Sequence, residues 1–267
     1  MRLDGKLALI TGAGSGIGRA LALEAAGRGM RLILTGRQKQ PLEETATLAG
    51  PGSRIEIHPA DVSDGAQRHG LAERAEAGGG LDVLVNNAGQ LCVGPFESES
   101  DEALARMISV NLTAPILLTK EVLPQLSQAK GAVLNVGSMF GDIAFPCFAA
   151  YSATKFGLRG FSEALRRELS DSGVQVTYGA PRATRTEAAD RFAHLVDPFQ
   201  MKMDSPERVA AWLWDAVEQG RNRAYPGVAE RLATIAQKLV PGLVDGVLTR
   251  QARAAVRSAP KAERTTV

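Results

Sequence analysis

The sequence predicts an α/β domain built on a parallel sheet with helices on both faces, and three observations carry that expectation. Short β-branched or aliphatic runs alternate with stretches of helical length and periodicity, which implies right-handed crossovers between parallel strands. Most of these runs are apolar throughout rather than alternating, as strands buried on both faces are. The chain has 267 residues, 45% of them hydrophobic and 22% charged, with a net charge of +2. That profile excludes disordered and collagen-like classes and suits one large core.

The elements follow in order. Residues 7–11, 31–35, 54–58, 81–85, 132–136 and 174–178 read as strands, and 17–28, 42–49, 66–77, 101–126 and 152–170 as the helices between them. The Gly78-Gly79-Gly80 run reads as a turn before the fourth strand. Past residue 178 the pattern loosens: 181–203 is irregular, Ser205-Pro206-Glu207 looks like a helix N-terminus, and Ala224-Tyr225 is a candidate last strand. Helical spacing resumes over 228–257, closing a single domain at 1–257, and 258–267 is expected to be a disordered tail.

Composition narrows the partners. With 31 basic and 29 acidic side chains there is no global field to gather nucleic acid or anionic lipid, so small-molecule or protein partners are favoured. Cys92 and Cys147 make no disulfide framework and lack histidines at metal-ligand spacing. A reducing, cytoplasmic compartment is expected. The apolar run 7–10 is too short for a signal-peptide core, and the ~18 uninterrupted apolar residues of a membrane span occur nowhere. His58, His69 and His194 have no triad or metal partner at a telling spacing.

In such sheets ligands bind beyond the carboxyl ends of the strands. There the first strand runs into Thr11-Gly12-Ala13-Gly14-Ser15-Gly16-Ile17-Gly18 and then a helix. A helix N-terminus offers unpaired N–H groups, and glycines let a pyrophosphate approach the backbone, so the turn reads as a dinucleotide cradle; a bland strand–helix connection is the other reading. The second strand ends in Gly36-Arg37 with no carboxylate before Glu43. This favours NADP over NAD, with Arg37 on the 2′-phosphate; alternatively, Arg37 is a solvated surface residue. Tyr151 and Lys155 stand one helical turn apart, so an ammonium is expected to lower the phenol pKa and make it a usable proton donor. Ser138 closes the fifth strand, where its hydroxyl could polarise a carbonyl.

Taken with Asp61-Val62 after the third strand, Asn86-Asn87-Ala88-Gly89 after the fourth, and Asn111, these marks resemble the short-chain dehydrogenases/reductases over residues 3–225. The resemblance implies a Rossmann-type doubly wound sheet of about seven strands and a tetrad of Asn111, Ser138, Tyr151 and Lys155. It implies hydride transfer between a nicotinamide and a carbonyl or alcohol carbon. Lys155 would also hold the nicotinamide ribose, Asp61 and Val62 would flank the adenine, and Asn87, Ala88 and Gly89 would line the cofactor floor. A homodimer or homotetramer pairing helices 101–126 and 152–170 is implied as well.

Within that frame Pro115 lacks the N–H that would bond the Asn111 carbonyl, which leaves the carbonyl free at a kink. Such a carbonyl suits a proton-relay water; a tolerated kink without consequence is the other reading. The family's Pro-Gly after the sixth strand is here Pro181-Arg182, followed by Ala183-Thr184-Arg185-Thr186. Pro181, Thr184 and Thr186 are carried over as cofactor contacts. Arg182 breaks the pattern and is expected to point to solvent, the other reading being a cation for an anionic substrate or the cofactor phosphates; an L-residue there costs about 1–2 kcal/mol if φ must be positive.

Phe145, Cys147, Phe148, Phe192, Leu195, Phe199 and Met201 could wall an apolar pocket under a substrate loop at 182–205, or could be core. The C-terminal helices carry apolar positions at helical spacing followed by basic residues, which suits helix packing, a subunit interface or peripheral membrane contact. The expectation is thus an NADP(H)-dependent oxidoreductase acting on a hydrophobic ketone or secondary alcohol. A 3-oxoacyl thioester reductase and a catalytically idle dinucleotide-binding sensor or scaffold are the alternatives.

Overall fold

A computed structural model describes residues 1–258, with side chains through 254. The expected tail thus lies, but for its first residue, outside the described residues. In chain order the elements are β1 (Leu7–Thr11), α1 (Gly16–Gly27), β2 (Arg31–Thr35), α2 (Lys39–Leu48), β3 (Arg54–Ile57), α3 (Gly65–Ala77) and β4 (Val83–Asn86). The second half holds α4 (Asp101–Ile108), α5 (Ala114–Ala129), β5 (Ala132–Val136), α6 (Ala149–Glu168), β6 (Gln175–Gly179), α7 (Ala193–Val196), α8 (Pro206–Glu218), β7 (Arg223–Ala224), α9 (Val228–Leu239) and α10 (Pro241–Ser258).

The seven strands form one sheet in the order β3-β2-β1-β4-β5-β6-β7, with every pair parallel. This is the doubly wound, Rossmann-like arrangement. The strand order reverses beside β1, which pairs with β2 through Ile10↔Leu34 and with β4 through Ile10↔Val85. A crevice therefore opens between the carboxyl ends of β1 and β4.

Alternation along the strands divides the core. Ala8 and Ile10 pack with Leu21, Leu213 and Trp214 on the α1 and α8 side. Leu7 and Leu9 pack with Leu71, Leu118 and Leu165 on the α3, α5 and α6 side. The buried Trp214 indole donates to the Leu21 carbonyl at 2.9 Å, so its one polar atom is satisfied inside the core.

Three expectations are corrected. β3 is an edge strand with Arg54 exposed, not buried on both faces, because β2 pairs only one of its sides. The expected 101–126 helix is broken: α4 and α5 flank a π-helical turn at Ser109–Thr113, where the Ala114 N–H donates to Ser109 O five residues back. Pro115 cannot supply the ordinary bond to Asn111, and the ladder accommodates this by widening. Residues 181–203 are also more regular than expected. They contain a 3₁₀ turn at Glu187–Phe192 and α7, tied by a parallel bridge between Thr184 and Asp204. Among the described residues no helix is long and apolar enough to cross a membrane.

Candidate active site

The glycine turn after β1 is shaped by close contacts that leave no room for side chains. Gly12 has φ +66°, and a Cβ there would come within 2.9 Å of Ala88 Cα. At Gly18 a Cβ would lie 2.0 Å from the Gly12 carbonyl oxygen, so α1 starts against the turn itself. The loop after β4 braces it. Asn87 donates its side-chain amide to Thr11 O at 2.9 Å, while the Thr11 hydroxyl accepts the Asn87 and Ala88 N–H groups at 2.9 and 3.0 Å. Ser15 caps α1 in extended conformation without a side-chain capping bond. The first N–H groups of the helix are thus left to a ligand or water.

Around that turn stand other residues singled out from the sequence. Thr186 Cγ2 lies 3.0 Å from where a Gly16 Cβ would be, which places Thr186 directly at the turn, while Gly14 packs against Pro41. Ile17, partly buried, packs on the core below. Arg37 is exposed at the end of β2 and has no hydrogen bond or ion pair among the described residues. Burial opposes ionisation of Asp61, but hydrogen bonds from Ser63 and Arg106 hold its carboxyl below the usual range. Val62 is buried beside it, with its carbonyl accepting from Arg68 at 2.8 Å.

Tyr151 and Lys155 lie in the first two turns of α6, and Ser138 caps a 3₁₀ turn just beyond β5. The Ser138 hydroxyl accepts the Phe140 N–H at 3.1 Å and faces the Tyr151 phenol closely enough to favour its ionised form. Lys155 is buried, with Nζ 5.6 Å from the Tyr151 ring centroid and donating to Val136 O at 3.0 Å. Burial pushes the phenol up to about 12, against a smaller lowering by the Ser138 hydroxyl, and pushes Lys155 down to about 8. The expected lowering of the phenol by its neighbour is therefore corrected: burial raises it instead. The ammonium bonds a backbone carbonyl, and desolvation outweighs the remaining attraction.

Asn111, fully buried in the π-turn, is linked to both neighbours. Its amide donates to Gln90 O at 2.8 Å and Thr154 Oγ1 at 3.3 Å, and its oxygen accepts the Gln90 N–H at 2.7 Å. Gly89 lies against the same oxygen, 3.5 Å from its would-be Cβ. Asn111 thereby joins the loop after β4 to α6 at the residue preceding Lys155.

Beyond β6, Pro181 O accepts the Met139 N–H at 2.9 Å, so the loop starts beside Ser138. The solvent-pointing Arg182 is corrected: its guanidinium takes both oxygens of buried Asp204 at 2.8 Å and pairs with Glu230 at 2.5 Å. Its φ is not positive, so no L-residue cost arises. Thr184 is buried, with its hydroxyl donating to Arg182 O at 3.0 Å.

Over the phenol sits an aromatic wall. Phe140 stands edge-on to Tyr151 at 6.0 Å, Phe145 to Phe199 at 5.6 Å and Phe148 to Phe192 at 6.0 Å. Cys147, Leu195 and Met201 belong to the same cluster. Sequence reasoning missed Gln90, Thr154 and above all Tyr178, a core residue of β6 whose hydroxyl meets the Ser138 backbone. The only available signal was glycine at 137 and 141, where any Cβ would come within 2.2 Å of Tyr178 atoms.

The residues fit a dinucleotide. The cradle admits no Cβ at Gly12 or Gly18, α1 presents an uncapped N-terminus, and Lys155 retains donors after its one bond. A proton donor, a second hydroxyl and a cation converge at an apolar wall, which suits proton transfer to an oxygen held there.

A family model described as short chain dehydrogenase matches residues 6–195. Nodulation protein G of Rhizobium meliloti is 36% identical over 194 residues, covering 72% of this chain and 78% of its own. Oxidoreductase UcpA of Salmonella typhimurium is 35% identical over 219 residues, 81% of each chain. The "Granaticin polyketide synthase putative ketoacyl reductase 1" of Streptomyces violaceoruber is 37% identical over 190 residues, covering 69% of this chain and 70% of its own.

Proposed function

The chain belongs to the short-chain dehydrogenase/reductase family, and we propose that it interconverts a hydrophobic ketone and a secondary alcohol with NADP(H). The observation that carries this reading is buried Lys155 with its Nζ 5.6 Å from the Tyr151 ring and Ser138 at the adjoining strand end, set beside the glycine turn. Bound NADPH supplies a hydride to the carbonyl carbon. Tyr151 gives its proton to the carbonyl oxygen, and Ser138 donates a hydrogen bond to the same oxygen as charge develops there. Lys155 stabilises the phenolate that remains, and Asn111 holds the π-turn and α6 in register.

In this reading Gly12, Gly14, Ser15, Gly16, Ile17 and Gly18 hold the pyrophosphate, and Arg37 the 2′-phosphate. Asp61 and Val62 flank the adenine, while Asn87, Ala88 and Gly89 form the floor. Lys155 holds the ribose, and Pro181, Thr184 and Thr186 close over the nicotinamide. The exposed, unpaired Arg37 supports NADP over NAD. The aromatic wall supports an apolar substrate. A cytoplasmic homo-oligomer paired through α4, α5 and α6 completes the proposal, supported by exposed Ile108 and Phe156 on those helices.

A second reading, reduction of a 3-oxoacyl thioester, draws support from the Streptomyces relative. NADPH consumption measured over a panel of apolar ketones and 3-oxoacyl thioesters separates the two. Tyr151→Phe should abolish turnover while leaving NADPH affinity unchanged. Tight NADPH binding with no turnover on any panel member would instead favour the idle sensor.

A further inference from the structure

The C-terminal helices α9 and α10 hold apolar side chains exposed. Val228, Leu232, Ile235 and Leu239 on α9 are 75%, 59%, 44% and 75% exposed, and Leu243 and Val247 on α10 are exposed as well. At 3.6 residues per turn the four α9 positions form one stripe. The opposite side of α9 holds buried Thr234 and Glu230, whose carboxylate pairs with Arg182. Hydrophobic side chains thus point away from the body where polar ones face it. This reverses the pattern of a helix whose apolar stripe packs on its own core.

Charge flanks the stripe. Arg231 and Lys238, both exposed, lie along one edge of it, and exposed Arg250 shares the outward side of α10 with Leu243 and Val247. The inward pairing of Glu230 with Arg182 removes one of the two acidic side chains from this surface, leaving Asp245. A second copy packed here about a two-fold axis would bring these cations together with little to neutralise them. An anionic leaflet neutralises them and buries the apolar stripe at the same time.

We propose that α9 and α10 dock the protein on an anionic lipid surface, with the apolar stripe in the interface and Arg231, Lys238 and Arg250 among the headgroups. The docked face adjoins the candidate site. Ala252 of α10 packs on the cluster of Phe148, Leu195 and Phe199, and Glu230 of α9 anchors the loop over the glycine turn through Arg182. A membrane-dissolved apolar substrate would reach the aromatic wall from this side. The docking itself does not depend on the chemistry proposed above.

Flotation of the full chain with vesicles tests the proposal. Association with phosphatidylserine–phosphatidylcholine vesicles should exceed that with pure phosphatidylcholine by roughly 100-fold, given three basic side chains at the surface, and should weaken with salt. Leu232→Ser with Leu239→Ser should abolish flotation, and Arg231→Gln with Lys238→Gln should remove the preference for phosphatidylserine. Both pairs are exposed, so NADPH affinity and melting temperature should stay at wild-type values. Failure to float, equal flotation with both vesicle types, or flotation that survives the double serine change would each overturn the proposal. So would an oligomer in light scattering that the double serine change dissolves, since the stripe would then be a contact between copies.

Discussion

The Tyr178 hydroxyl grips Ser138 by its own peptide: it accepts the Ser138 N–H at 3.3 Å and donates to the Ser138 carbonyl at 3.1 Å. The ring is fully buried, and Gly137 and Gly141 supply the space for it. Burial drives this phenol far above its ordinary range, so it remains a neutral hydroxyl that can serve both partners at once.

Removing that hydroxyl should loosen Ser138 without touching the substrate side. Tyr178→Phe leaves the buried Ser138 N–H unsatisfied, while the carbonyl keeps the Gly141 N–H at 2.9 Å, and should cost about 1–3 kcal/mol of stability in urea unfolding. Turnover should fall several-fold while NADPH affinity holds, because the glycine turn lies on other strands. A loss of cofactor affinity as large as the loss of turnover would show that Tyr178 supports the whole sheet end rather than Ser138.

Arg182 holds the loop after β6 to α9 by pairing with Asp204 and Glu230 at once. Asp204 is only 3% exposed, so Arg182→Met leaves a buried carboxylate with only the longer Arg208 pairing at 3.7 Å. A stability loss of about 3 kcal/mol is expected, since breaking a buried pair costs more than the pair is worth. Adding Asp204→Asn should restore part of it. Additive losses in the double variant, read by urea unfolding, would refute the coupling.

Much of this architecture is written locally. β1, β2 and β5 match their expected limits because each is an unbroken apolar run stopped by polar or glycine-rich turns. The glycine turn and the one-turn spacing of Tyr151 and Lys155 on α6 are likewise legible from motif and spacing. What escaped depends on partners distant in sequence. Arg182 reads as a surface residue until Asp204 and Glu230, 22 and 48 residues away, fold against it. Tyr178 reads as one more core side chain because its partners are backbone atoms that no side-chain pattern reveals. Pro115 did announce a break, but whether the helix would kink or widen into a π-turn depends on the packing of Asn111 against Gln90 and Thr154.

The buried Lys155 should give the cofactor-free protein a pH signature. Its pKa is about 8 folded against an ordinary value near 10.5, so the unfolded chain binds more protons between those limits. Stability should therefore rise with pH across that window. The penalty of the buried ammonium is fully present below pH 8 and is lost by pH 10.5; it amounts to about 3 kcal/mol at neutral pH. Lys155→Met should remove this dependence, melting above wild type at pH 7 and losing that advantage toward pH 10. Parallel melting curves for the two proteins across the window would count against a charged, desolvated lysine.

In the proposed reading cofactor choice rests on Gly36 and Arg37. Arg37 is exposed and unpaired among the described residues, so its guanidinium is available to a 2′-phosphate through charge-assisted hydrogen bonds. NAD would gain nothing from it and would find no carboxylate at Gly36 for its 2′-hydroxyl. Hydrogen bonds to charged groups are worth roughly 1.5–3 kcal/mol, or one to two decades in affinity. NADPH should thus bind at least about tenfold more tightly than NADH, which fluorescence titration measures directly. A Cβ at Gly36 meets only Leu42 Cδ2, at an ordinary 3.6 Å, so an aspartate there is sterically tolerated. Gly36→Asp with Arg37→Ala should consequently reverse the preference without loss of fold, the new carboxylate repelling the phosphate that the lost arginine no longer holds. A wild type that binds NADH more tightly would refute the assignment of Arg37.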